Sequence, residues 1–167
     1  MSTIRFSTQI KEEDLYKFNL HQAYRSTQGW FSIIVALLFL GTWVLKFSEL
    51  NIQSKILCPV LALIVLCYLP FDLSRLAKNR MKQEVFQHPL NYEFTETGVV
   101  ITSPTTDEPA ELPWSYVYKI SNWKDYLLIY SNRVNAYIIP MTDIEGQYSE
   151  IKEFIKNHVE DDKLQII

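Results

Sequence analysis

Three histidines, two cysteines, a serine beside a tryptophan and a scatter of carboxylates are the residues of this chain that could do chemistry. His21, His88 and His158 fall in three separate segments, with no metal-ligand spacing among them. Cys58 and Cys67 are nine positions apart in one apolar run. At about 100° per helical residue they take opposite faces and cannot bridge each other. Neither a disulfide framework nor a zinc site follows. Ser115 succeeds Trp114 without a nucleophile-elbow pattern around it and reads as a strand residue. The glycines, at 29, 41, 98 and 146, form no phosphate-cradling loop. With no acid–base or nucleophile set, the chain is expected to be no enzyme and to use no cofactor or metal. Trp114 is the side chain expected to matter most. It is either the core anchor of a small domain or, together with Tyr116 and Tyr118, the wall of a ligand pocket.

The elements that must position these residues are dominated by two apolar runs, Trp30 to Leu45 and Ile56 to Phe71, each 16 residues long and free of charge. A helix that crosses a bilayer needs roughly 20 apolar residues, so both are short until Lys46, Phe47 and Asp72 are counted in. Each run holds ten strongly inserting residues, which at about 0.3–0.6 kcal/mol apiece favour insertion by about 3–6 kcal/mol. Trp30, Trp43, Tyr68 and Phe71 lie near the ends, where aromatic rings prefer the membrane interface. The rest of the chain is too small and too polar to wrap two such helices in a soluble core. A transmembrane helical hairpin is expected, with spans over about 30–47 and 55–72. Pro59 is placed in the first turn of the second helix, where a missing N–H costs little, and Pro70 near its exit.

The mean hydropathy of −0.04 looks soluble only because unlike parts are averaged. Residues 1–82 hold ten basic and five acidic side chains; residues 83–167 hold six and fourteen. Lys11, Lys17 and Arg25 precede the first run, and Arg75, Lys78, Arg80 and Lys82 follow the second. Basic flanks stay on the cytoplasmic side, so the expected location is the inner or plasma membrane, multi-pass, with both termini cytoplasmic. The acidic C-terminal half disfavours nucleic acid and anionic lipid as ligands.

In order, residues 1–28 read as a strand around Ile4 and Phe6 and a helix opened by Glu12, Glu13 and Asp14. Residues 29–73 are the hairpin, and 74–87 a basic helical extension that runs unbroken until His88-Pro89. Residues 88–160 form a β-rich domain, and 161–167 a solvated tail. Inside that domain Leu90 to Phe94 and Val99 to Thr102 are strands joined by a turn, Glu96-Thr97-Gly98, in which Gly98 is free to take a positive φ. Ser103 to Ala110, polar and acidic, is a loop. Trp114 to Ile120 is a long strand with Trp114, Tyr116 and Tyr118 on one face. Tyr126 to Tyr130 and Ala136 to Ile139 are further strands, and Ser149 to Val159 is a helix that could begin as early as Ile144. The class is α+β.

This order of parts resembles the YcxB-like family of small bacterial membrane proteins. The resemblance rests on Gly98, Leu112-Pro113-Trp114-Ser115, Val117 to Ile120, Tyr126 to Tyr130, Ala136 to Pro140 and the helix around Ile151 to Ile155. It implies a pleckstrin-homology-like domain, a strongly bent antiparallel sheet or small barrel capped by the C-terminal helix. It implies no activity and carries over no site residues. The expected role is that of a membrane-anchored interaction or regulatory module, which docks its acidic domain on a protein partner or on its own copies. The other reading is a lipid or small-ligand binding protein, with a pocket in the β domain or between the spans.

Overall fold

The computed structural model describes residues 3–165, with the side chains of Gln28 and Asp107 outside the described set. The chain divides into two units: one runs from Tyr16 to Asn79, and the other joins the chain up to Leu15 with the chain from Arg80 onward.

The first unit is helical. It holds most of α1 (Glu12–Arg25) and α3 (Ile52–Met81), and all of α2 (Thr27–Leu45). Glu12, Glu13 and Asp14 open α1, where carboxylates meet the positive end of the helix dipole. A side chain at Gly29 would place its Cβ 2.4 Å from the Ala23 carbonyl oxygen, so only glycine fits this close approach after α1. α3 is 30 residues long, about 45 Å at 1.5 Å per residue. It is long and apolar enough to cross a membrane: its most apolar window has a mean hydropathy of 2.3 and is only 11% buried. α2 meets the same criterion only together with α1, across a 69° bend. By length and apolarity alone, α3 qualifies as a span by itself, and a second span is reached only if the bent pair is counted as one. α3 also begins earlier than the apolar run, so Pro59 lies in its interior and not in its first turn.

α2 and α3 touch in antiparallel order. Val35 shares an apolar groove with Ile64 and Val65, and nearer the connection the Trp43 Nε1–H donates to the Lys55 carbonyl at 2.8 Å. The Trp43 and Phe47 rings meet edge to face, and the Lys55 ammonium sits 4.7 Å from the Phe47 ring centre. Ala36 and Ala62 are buried, whereas Phe31, Leu37, Leu38, Ile56, Leu57, Leu63 and Ile64 are exposed.

The second unit is two four-stranded sheets around one core, with the order β1-β2-β3-β4 in one and β7-β6-β5-β8 in the other. The strands are β1 (Ile4–Thr8), β2 (Leu90–Phe94), β3 (Gly98–Ser103), β4 (Thr106–Pro113), β5 (Lys119–Trp123), β6 (Tyr126–Tyr130), β7 (Ala136–Pro140) and β8 (Leu164–Gln165). Alternation places Leu90, Tyr92 and Phe94 inside and Asn91 outside. Short helices α4 (Glu84–Gln87) and α5 (Met141–Ile144) precede β2 and follow β7; α6 (Tyr148–His158) buries Ile151, Phe154 and Ile155 in the core. The α+β class, the terminal helix and the contribution of the strand around Ile4, which pairs antiparallel with β2, stand as expected.

Several local expectations do not. The sheets do not close into a barrel among the described residues: β4 passes the chain to β5 through a 3₁₀ turn, Trp114–Tyr116, without pairing to it. The acidic stretch after Ser103 is a strand and not a loop. As an edge strand, β4 tolerates Pro109 and solvated carboxylates that a central strand could not. Gly98 has no positive φ; it is glycine because a Cβ there would lie 2.4 Å from the Leu112 oxygen and 2.6 Å from the Pro113 Cα. The helical exit is interrupted after Met81, where Gln83 is extended before α4. α5 and α6 are separate helices. The acidic tail turns through Asp161–Lys163 and adds β8 parallel to β5, with Leu164 opposite Ile120; Ile166 and Ile167 lie outside the described residues.

Candidate functional site

Trp114 sits where the two sheets exchange the chain. Pro113 ends β4, and the tight turn that follows aims the indole inward, with 6% of the residue exposed. Its Nε1–H donates to the Thr95 carbonyl at 2.9 Å and its main-chain N–H to the Thr97 carbonyl at 3.2 Å. Thr95 in turn donates from Oγ1 to the Gly98 oxygen at 2.8 Å. The β2–β3 turn, Gly98 and Trp114 thus form one hydrogen-bonded corner. The Phe94 ring meets the indole edge to face at 5.6 Å, and the rings of Phe154 and His158 lie at 6.4 and 6.0 Å. His158 stacks on Phe154 at 4.3 Å, and its Nδ1 is 2.8 Å from the Phe154 oxygen. Trp114 is therefore the core anchor, and His158 belongs to its aromatic packing.

The turn also breaks the aromatic face expected for Trp114, Tyr116 and Tyr118. Val117 joins the core, while Tyr116 and Tyr118 are 74% and 46% exposed. They line a surface groove of about 720 Å³, together with Lys119, Arg133, Asp162 and Lys163. The turn between β6 and β7 holds one wall in place: Asn132 Oδ1 accepts from the main-chain N–H groups of Val134 and Asn135 at 2.9 and 2.8 Å. The Lys119 ammonium lies 4.4 Å from the centre of the Tyr130 ring. Lys163 pairs with Glu160 at 3.1 Å. Positions 119, 133 and 163 are brought together by strand register and by β8, neither of which any local pattern announces.

A smaller recess of about 260 Å³ lies at the start of α1, walled by Glu13, Asp14, Asp125 and Asp143 among others. Tyr126 Oη donates to Asp14 Oδ1 there at 2.6 Å. Burial raises the Tyr126 phenol above its ordinary value, and the hydrogen bond to Asp14 and the charges of Asp14, Glu13 and Asp125 push the same way. On β2, burial raises the Tyr92 phenol, helped by Tyr137 and opposed by Thr8. No group of three His, Cys, Asp or Glu able to hold a metal occurs among the described residues. His21 lies in α1, His88 follows α4 and His158 ends α6. Cys58 and Cys67 are free, the first half-buried and the second exposed on α3. Ser115 stands in the 3₁₀ turn and lines the groove.

No curated protein matches the chain. Residues 94–155, from the last residue of β2 into α6, match the family model described as YcxB-like protein. That span takes in the Gly98–Trp114 corner, the β5–β7 meander and most of the core, and it excludes α2 and α3. Over this stretch the chain is similar to the YcxB-like family.

Proposed function

We propose that the chain is a two-span membrane protein, with both termini on the cytoplasmic side, that holds its two-sheet, pleckstrin-homology-like domain at the membrane for docking on a partner protein. The observation that carries the anchor is the exposure of large apolar side chains along both α2 and α3. A soluble helix pair leaves one stripe apolar and the other polar; this pair needs hydrocarbon around it. The hydrogen bond from Trp43 to Lys55 and the antiparallel contacts of α2 with α3 support two spans acting as one hairpin. Their basic flanks support the orientation.

Docking, in preference to catalysis, is supported by the filled core around Trp114 and by the separation of the three histidines. The domain's excess of carboxylates over cations, fourteen to six across residues 83–167, favours a partner with a basic face. A second copy would repel it, so a different protein is favoured over self-association. Crosslinking in native membranes, followed by identification of the attached protein, tests the reading. The expected result is one recurrent partner whose capture weakens with salt; recovery of the bare monomer at every salt concentration overturns it.

A further inference from the structure

The groove beside Tyr116 carries a charge pattern opposite to that of the domain around it. Six basic side chains occur in residues 83–167, and three of them, Lys119, Arg133 and Lys163, line this one recess. They come from three different elements: the first residue of β5, the β6–β7 turn and the segment before β8. Two exposed tyrosines form the adjoining wall. We propose that this groove binds the phosphate group of a small anionic ligand, with the tyrosine rings against its organic part.

The chemistry is that of charge-assisted hydrogen bonding. Arg133 supplies a planar fork that matches two phosphate oxygens, and the lysines supply compact charges. Asn132 uses its carbonyl oxygen inside the turn, which leaves its amide N–H groups to meet an acceptor. Ser115 adds a hydroxyl at the same lining, whereas the Ser131 hydroxyl donates to the Asn135 oxygen at 3.5 Å within the turn. A volume of about 720 Å³ lies within the usual range of small-ligand sites, about 300–1,000 Å³. The domain's net negative charge does not defeat such a site. At physiological ionic strength charges more than about 8 Å away are largely screened, so the local cations dominate. Two carboxylates weaken it: Asp162 in the lining, and Glu160, paired with Lys163. Affinity is therefore modest, and removal of Asp162 strengthens it.

The same phosphate chemistry is offered by a phospholipid headgroup and by a soluble phosphate ester. The test uses the full chain in nanodiscs and reads hydrogen exchange of the 131–135 turn and of residues 161–165. One arm adds glycerol 3-phosphate to phosphatidylcholine discs; the other replaces part of the lipid with phosphatidylglycerol. Protection in the first arm identifies a soluble ester, and protection in the second a headgroup; either supports the site. Arg133→Gln is expected to weaken the effect by about tenfold, and Asp162→Asn to tighten it by a few fold. The gain in Asp162→Asn cannot come from misfolding. Absence of protection in both arms, or protection indifferent to both substitutions, overturns the proposal. The test does not depend on the docking partner, so either reading can fail alone.

Discussion

The indole N–H of Trp43 donates to the main-chain carbonyl of Lys55 at 2.8 Å, and Lys55 stands four residues before Pro59. Proline has no N–H, so the carbonyl four positions earlier in its helix is left without its regular partner. Trp43 supplies the missing donor from α2. One side chain thereby satisfies an orphaned backbone group inside an apolar helix and fastens the two helices beside their connection.

This relationship predicts a rescue. Trp43→Phe removes the donor and costs about 0.5–1.5 kcal/mol of stability. In a Pro59→Ala background the helix N–H returns to Lys55, and the same substitution costs much less. A double-mutant cycle on thermal unfolding in detergent checks it. Equal costs in both backgrounds would show that the hydrogen bond does no work.

At Gly98 the account predicts intolerance of the smallest side chain. Gly98→Ala drives a methyl into the Leu112 oxygen at 2.4 Å and the Pro113 Cα at 2.6 Å. Both are backbone atoms that cannot rotate away, so β4 must shift, at a cost of about 1–3 kcal/mol. Denaturant unfolding measures it. Gly146→Ala, with nothing within 4 Å of the new carbon, is the control and is expected to be close to neutral.

Trp114 and Tyr116 are two residues apart and have opposite predicted behaviour. Trp114→Ala empties the aromatic corner and strands the Thr95 carbonyl, for about 3–5 kcal/mol. Tyr116→Ala touches only the groove wall and stays within about 0.5 kcal/mol. Unfolding midpoints of the two variants separate the assignments; a large loss in Tyr116→Ala contradicts the inward turn of Val117.

The Tyr126–Asp14 hydrogen bond predicts an alkaline weakness. The folded-state phenol titrates above its unfolded value, so its stabilising effect is fully present below about pH 10 and is lost as pH rises through the folded value. Tyr126→Phe has no such proton to lose. Its stability should fall less than that of the parent chain between pH 9 and higher values; parallel curves would contradict the buried bond.

Much of this architecture was legible in the sequence, because period and composition are local. Ile4 and Phe6, the apolar runs, Leu90 to Phe94, Tyr126 to Tyr130 and Ile151 to Ile155 all announce their elements. What failed depended on distant partners. Nothing near Asp107-Glu108-Pro109 says that β3 will pair with it, and an edge strand can look like a loop. The alternation of Trp114, Tyr116 and Tyr118 is cancelled by a single 3₁₀ turn that moves Val117 into the core. Gly98 signalled a special position, but the cause is the approach of β4 and not a left-handed φ. Nothing near Lys124 announces its φ of 50°, which puts a lysine where a β5–β6 connection favours glycine. The groove was invisible because Lys119, Arg133 and Lys163 meet only in the folded sheet.

The central claim is that α2 and α3 cross the membrane as a hairpin with the two-sheet domain on the cytoplasmic side. Single cysteines placed at Asn51 and at Ser103, in a chain carrying Cys58→Ala and Cys67→Ala, test it directly with a membrane-impermeant maleimide on intact cells. The account predicts that Asn51→Cys is labelled from outside and Ser103→Cys only after lysis. Labelling of Ser103→Cys on intact cells, or protection of both positions until lysis, would contradict it.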